Sequence, residues 1–318
     1  MPAQLRVRRL LFVTGKGGVG KTSAACALAL HLVERGRRVL LVECSEVSSL
    51  GPTLGVAAPE YAARPVAPGL LACRITPREC LREYGLRKLR LRSVYDLVFE
   101  NAFVRALVNM LPGMEEMLVV GKIGFMAQTA ARAGNAAFDT VVVDSPPTSQ
   151  GLGLLSFPSI MLSAVGSGLA AREIRRIHAL LVDPKQTGIV VVTIPEELAV
   201  DEALELESQL TGRVHLPACA MVVNRVLPDV FSAPATRRLG SCAALLNGGP
   251  PAALGGVLAS AAALHAMRKR QEAQIARLSA GSSLPVMTLP LLLPGEQEGG
   301  VARQLAPLLA SELDRESM

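Results

Sequence analysis

Residues 15–22 read Gly-Lys-Gly-Gly-Val-Gly-Lys-Thr and stand between an apolar run, residues 10–13, and an alanine- and leucine-rich stretch, residues 24–32. A glycine loop that leaves a strand and opens a helix constrains the fold more than any other feature of this chain. Glycines let backbone N–H groups turn inward around phosphate oxygens. The helix that follows adds the positive end of its dipole. In such a loop Lys21 reaches the outer phosphates and Thr22 ligates Mg2+. The candidate contacts are therefore Gly15, Gly17, Gly18, Val19, Gly20, Lys21, Thr22 and Ser23. Lys16 lies too early in the loop to do the work of Lys21, which leaves it placed to reach phosphates held by a neighbouring subunit.

With 318 residues, the chain suits one large α/β domain or two small ones. Apolar residues are 50% and charged ones 19%, the balance of a packed protein rather than a disordered one. Aromatic residues are 3% and tryptophan is absent, so platforms for stacking bases are few and no nucleic-acid partner is expected. The net charge of +6 serves nucleotide phosphates, an acidic partner or a membrane surface, or is an arginine-rich solvated face. Six cysteines (Cys26, Cys44, Cys73, Cys80, Cys219 and Cys242) include no Cys-x-x-Cys pair. They read as small buried hydrophobes in a reducing compartment. The four histidines have no metal-ligand spacing, and no zinc is expected. No long apolar signal precedes the first strand, so a cytoplasmic location is expected. Residues 151–171 and 242–267 lack charge, but neither is a continuous block of the ~20 apolar residues that span a bilayer. Both read as loop plus buried or groove-lining helix.

Apolar runs at residues 10–13, 39–42, 70–75, 140–143, 188–194, 218–223 and 286–289 recur between helical stretches. Runs without polar alternation, separated by helices, predict an α/β fold with a mostly parallel sheet covered on both faces. Ligands bind at the carboxyl ends of such strands, where the segments after Val13, Val42, Val143 and Val223 converge. The interval 76–134 breaks the rhythm and reads as mostly helical. It carries Met110, Met114, Met117 and Met126. From Met114, the residues Met117, Leu118, Gly121 and Phe125 share one helical face. That pattern favours a core stripe; the alternative is a surface of flexible thioethers that accepts varied apolar partners. Residues 235–281 are alanine-rich and uninformative. A final amphipathic helix, about residues 301–313, precedes Asp314 and Glu316, which argues against a basic membrane-targeting tail.

Asp144 closes the run at 140–143 and precedes Ser145-Pro146-Pro147-Thr148. A carboxylate at a strand end near a phosphate loop is placed to hold Mg2+, directly or through water. The residues after it can sense a γ-phosphate by ordering. Asn224 ends the run Met221-Val222-Val223 and offers a paired donor and acceptor to the edge of a base.

With these motifs the chain resembles the arsenite-pump and tail-anchored-protein-targeting ATPases, bacterial paralogues included, within the deviant Walker-A (signature-lysine) class of P-loop proteins. The loop at 15–22 matches with Lys16 as the signature lysine. Asp144-Ser-Pro-Pro-Thr-Ser-Gln-Gly-Leu, with Phe157-Pro158, resembles the second switch. Pro195-Glu196-Glu197-Leu198 with Glu202 and Leu204, Val223-Asn224-Arg225, and Pro112-Gly113-Met114-Glu115-Glu116 resemble the segment after the next strand, the adenine-reading turn and a client-region helix start. The resemblance implies a P-loop NTPase domain spanning residues 1–318, with helical client- or partner-binding segments at 76–136 and 150–184. It implies ATP and ADP with Mg2+ as ligands, and a homodimer, or a heterodimer with a similar ATPase, that sandwiches ATP with Lys16 acting across the interface. It also implies an apolar protein client and a transient link to membrane proteins.

Three departures qualify it. The first switch's water-activating aspartate falls on Ser45 within Glu43-Cys44-Ser45-Glu46-Val47-Ser48. A neutral hydroxyl cannot take a proton from water as a carboxylate does at neutral pH. Hydrolysis is then slow, or Glu43 or Glu46 substitutes; Glu46 is the preferred candidate. The second switch's histidine is Gln150, and the zinc-binding Cys-x-x-Cys of eukaryotic targeting members is missing. The expected function is an ATP-driven dimeric switch for an apolar protein segment. The alternatives are a hydrolysis-deficient subunit of a heterodimer, a positioning ATPase like the Min and Par proteins, and, more weakly, an arsenite-responsive pump subunit.

Overall fold

The structure, a computed structural model, describes residues 7–89, 113–132, 138–164, 167–229, 252–292 and 300–315. In chain order the elements are β1 (Leu10–Gly15), α1 (Lys21–Glu34), β2 (Val39–Glu43), α2 (Leu50–Leu54), β3 (Arg64–Ala67), β4 (Leu70–Arg74), α3 (Pro77–Leu89), α4 (Met114–Arg132), β5 (Thr140–Asp144), α5 (Thr148–Ala164), α6 (Leu169–Val182), β6 (Thr187–Thr193), α7 (Glu197–Ser208), β7 (Ala218–Val226), α8 (Ala252–Gly281), β8 (Val286–Pro290) and α9 (Val301–Arg315). The eight strands form one sheet in the order β3-β4-β2-β5-β1-β6-β7-β8. Every pairing is parallel except β3 with β4. The expected α/β class with a mostly parallel, doubly covered sheet is the class observed.

The run of apolar residues in β1 follows from its central position. Leu10 and Phe12 enter a core with residues of α4, α5, α6 and α7, while Leu11 and Val13 enter a second core with α1, α2 and α9. All four are fully buried. Burial of each such side chain contributes about 1.5–3 kcal/mol, and no position on the strand is left for a polar residue. The same holds for Val141, Val142 and Val143 on β5.

All seven strands expected from the sequence are present; β3 is an addition. Its sequence is Arg-Pro-Val-Ala, and Arg64 and Pro65 are exposed. Proline and short length suit an outer strand, but they erase the apolar signal by which strands are read. Pro68-Gly69 joins it to β4, with Gly69 at φ +75°, the left-handed position a tight turn requires.

On α4 the helical period read from the sequence is right and its phase is not. The buried face is Val119, Val120, Ile123, Met126 and Ala127, whereas Phe125 is 45% exposed. Met114, Met117, Leu118 and Gly121 lie half-buried on the flank. The helix is apolar on more than one face, so period alone leaves its rotation open. Met110 and Pro112 lie outside the described residues. The uncharged stretch at 151–171 buries Leu154 and Leu155 in α5, as expected of a buried helix. The helical part of the stretch at 242–267 does not: Val257, Leu264 and Met267, spaced to share one face of α8, are all exposed. In α9, Ala302, Leu305, Ala306, Leu309 and Leu313 form the buried stripe expected of an amphipathic end helix. Among the described residues no helix is long and apolar enough to cross a membrane.

Candidate nucleotide site

Because β2, β5, β1, β6 and β7 are parallel neighbours, the segments at their carboxyl ends meet at one edge. The glycine loop lies at the centre of that edge. At its root, Gly15 has φ +146°, and a Cβ there would lie 2.1 Å from the Val192 carbonyl oxygen on β6. At its end, Gly20 has φ +94°, and a Cβ would lie 2.1 Å from Asn224 Nδ2. Both positions exclude side chains. Helix α1 then begins with no side-chain cap and no acidic residue in its first turn, so its first N–H groups remain available to an anion.

Lys21 is buried and its Nζ donates to the Lys16 carbonyl at 2.9 Å. Burial lowers its pKa, and Asp144 opposes that shift. The Thr22 hydroxyl donates to Asp144 Oδ2 at 2.6 Å. Burial raises the Asp144 carboxyl to about 6, against the Thr22 bond and with reinforcement from Glu43. Among the described residues, Asp144 Oδ1 is buried and finds no hydrogen-bond partner, and the same is true of Thr14 Oγ1 and Ser145 Oγ. Unsatisfied buried oxygens are costly. A carboxylate oxygen with free lone pairs beside a hydroxyl is a hard-oxygen set suited to Mg2+. The expected pair Thr22 and Asp144 is thus brought together.

The other candidates are placed differently. Asn224 is buried behind the loop, where its Nδ2 donates to the Val19 carbonyl at 2.9 Å. This amide hydrogen is therefore committed to bracing the loop. Lys16 turns to its own subunit: its Nζ lies 2.5 Å from Glu202 Oε1 on α7. Glu46 is exposed. Its carbonyl, with that of Ser45, receives the Arg74 guanidinium from the end of β4. The Ser45 hydroxyl donates to the Val47 carbonyl at 2.7 Å.

Glu43, the other candidate base, is 1% exposed. Its Oε1 accepts the N–H groups of Ser49 (2.6 Å) and Leu50 (3.0 Å), and its Oε2 accepts the Ser48 hydroxyl (2.7 Å). Both oxygens are engaged in holding the start of α2. The signal in the sequence was a glutamate closing a strand five residues before Ser48-Ser49-Leu50, and it was not read as a cap. Thr14 was likewise not singled out, and Glu202 and Ser145 were named only as parts of motifs, since the contacts of all three depend on neighbours distant in the chain.

A profile of the anion-transporting ATPase family matches residues 8–171 and 168–239. The chain belongs to this family. An arsenical pump-driving ATPase of Acidiphilium multivorum is 31% identical over 235 residues, covering 69% of this chain and 40% of the relative. ATPase BagA of Mycobacterium tuberculosis is 30% identical over 238 residues, covering 71% and 68%. ATPase GET3B of Arabidopsis thaliana is 25% identical over 277 residues, covering 71% and 66%. The match thus spans about two fifths of the arsenical pump-driving relative and two thirds of the mycobacterial one.

In this family member four of the described thiols, Cys26, Cys73, Cys80 and Cys219, are buried, and Cys44 is half-buried. Burial raises Cys26 and Cys44 well above the ordinary thiol range, Cys73 and Cys80 to about 12 and Cys219 to about 11. Since the thiolate is the reactive form, iodoacetamide at pH 8 is expected to modify the buried Cys26, Cys73, Cys80 and Cys219 at least ~100-fold more slowly in the native chain than in urea. Peptide mass spectrometry reads each site, and comparable rates in the two states would contradict the burial. Cys242 lies outside the described residues. Among the described residues, no group of three or more His, Cys, Asp or Glu could hold a metal ion.

Proposed function

We propose that the chain is an ATP-dependent dimeric switch, acting in the cytoplasm, whose nucleotide state governs binding of an apolar protein segment. The observation that carries the reading is the convergence of Lys21, Thr22 and Asp144 at the uncapped start of α1, with Asp144 Oδ1 unpartnered. In the loaded site, Lys21 leaves the Lys16 carbonyl for the outer phosphates, and the loop N–H groups orient them for in-line attack by water. Thr22 and Asp144 hold Mg2+, which when bound offsets charge on the phosphate oxygens. Lys16 of the second subunit adds positive charge where negative charge develops on the phosphate oxygens in the transition state. Gly151 lies against the Pro146 carbonyl and Thr14 Oγ1, so movement of Asp144 is felt at the start of α5.

Water activation is the weak link. Ser45 offers no carboxylate, Glu43 is engaged, and exposed Glu46 is free to swing inward. ATP turnover of the purified chain is expected to be slow, to fall on Glu46→Ala by at least ~10-fold and to rise on Ser45→Asp by a factor in the general-base range of about 10²–10⁴. Turnover unaffected by Glu46→Ala would remove Glu46 as the base. The bond from Ser45 to Val47 favours a second reading, a subunit that binds ATP without hydrolysing it. Tight ATP uptake with no turnover, restored by a similar ATPase added in trans, would select that reading. Arsenite is expected to leave turnover unchanged.

A further inference from the structure

We infer that Glu202 is a latch that keeps Lys16 inside its own subunit until ATP arrives, so that the site controls its own pairing with a second copy of this chain. The inference rests on the reading of Lys16 as a residue that acts across a dimer.

Lys16 is held at both ends. Its ammonium lies 2.5 Å from Glu202 Oε1, and its carbonyl accepts the Lys21 ammonium at 2.9 Å. The carboxylate is presented by a braced helix. Asp201, the neighbour of Glu202, pairs with Arg277 of α8. One turn and more further on, Glu207 accepts the backbone N–H and hydroxyl of Ser283. Leu204 packs over Gly281, where a Cβ would lie 3.1 Å away. Helix α7 cannot follow the lysine outward, so the pair must break for Lys16 to cross to another subunit.

ATP loosens the other end. The phosphates compete for Lys21, which is the group that pins the Lys16 carbonyl. Once Lys21 turns to the nucleotide, the loop at Lys16 loses that tie, and only the ion pair holds the side chain. That pair is weak enough to open: the two side chains are 41% and 43% exposed, and exposed pairs of this kind bias an equilibrium by roughly two- to fivefold. A dimer opens two latches, so the bias on pairing reaches up to about 25-fold. Holding the lysine back in the nucleotide-free chain removes one attraction between empty subunits.

The test uses the full chain and two readouts. Without nucleotide, acylation of Lys16 by N-hydroxysuccinimidyl acetate at low salt is followed by peptide mass spectrometry, with exposed Lys185 as the internal reference. Glu202→Gln is expected to raise the Lys16 rate about two- to fivefold, and 1 M NaCl to raise the parent's rate but not the variant's, because salt screens an exposed pair. A variant rate equal to the parent's overturns the latch whatever the chain does with ATP. With MgATP, sedimentation velocity is expected to give Glu202→Gln a dimer dissociation constant several-fold and up to about 25-fold lower than the parent's. A constant that is unchanged or higher overturns the control of pairing. A parent that takes up no ATP by calorimetry sinks the proposed function itself, an outcome distinct from either.

Discussion

Lys21→Ala is expected to abolish the response of this chain to ATP. The lysine is the one buried cation at the head of α1, and burial has already lowered its affinity for a proton. A desolvated ammonium facing phosphate acts in a low-dielectric site, where loss of one such stabilising group costs about 10²–10³ in turnover. Nucleotide uptake should fall in parallel, because the outer phosphates lose their nearest counter-charge. The fold should survive: among the described residues the Lys21 side chain makes one hydrogen bond, to the Lys16 carbonyl, and its removal relieves a desolvation cost. Calorimetric titration with MgATP beside a thermal melt checks both points. Uptake within twofold of the parent would place the nucleotide elsewhere.

The second large effect is on stability. Glu43→Ala removes a buried carboxylate that accepts three hydrogen bonds and leaves two backbone N–H groups at the head of α2 without their acceptor. Such losses are worth on the order of 3 kcal/mol in total, which lowers Tm by roughly 4–5 °C at this chain size. Glu43→Gln keeps the acceptor for Ser49 and Leu50 and can donate to the Ser48 hydroxyl, so its cost should be about 1 kcal/mol. The pair of variants also separates structure from chemistry. A Glu43→Gln protein that melts like the parent but has lost turnover would make Glu43 the base, and Glu46 would no longer be needed in that role.

How far the fold and the site could be read in advance depended on the range of the interactions. Residues 10–13 and 140–143 announce themselves because a central parallel strand buries both faces, and that requirement is written into consecutive residues. The glycine loop is legible for a related reason: positive φ at Gly15, Gly18 and Gly20 is a local property, and glycine is the residue that adopts it freely. Thr22 and Asp144 could be paired across 122 residues because parallel strands deliver both to one edge. By contrast, β3 was invisible because an outer strand with proline carries little apolar signal. The rotation of α4 was misread because the helix is apolar on more than one side, and only the helices packed around it select the face that is buried.

The sequence by itself determined the sheet of parallel strands, the phosphate loop with its two lysines and the family to which the chain belongs, since each is encoded in contiguous residues or simple periods. The tertiary structure alone decided what those residues face. Strand β6 lies beside β1, so the helix after β6 brings Glu202 to Lys16 across 186 positions of sequence. The turn after β2 folds back so that Glu43 is consumed as a cap, and β7 brings Asn224 behind Gly20. These contacts depend on strand order and on side chains meeting across the sheet edge, and no local pattern specifies either.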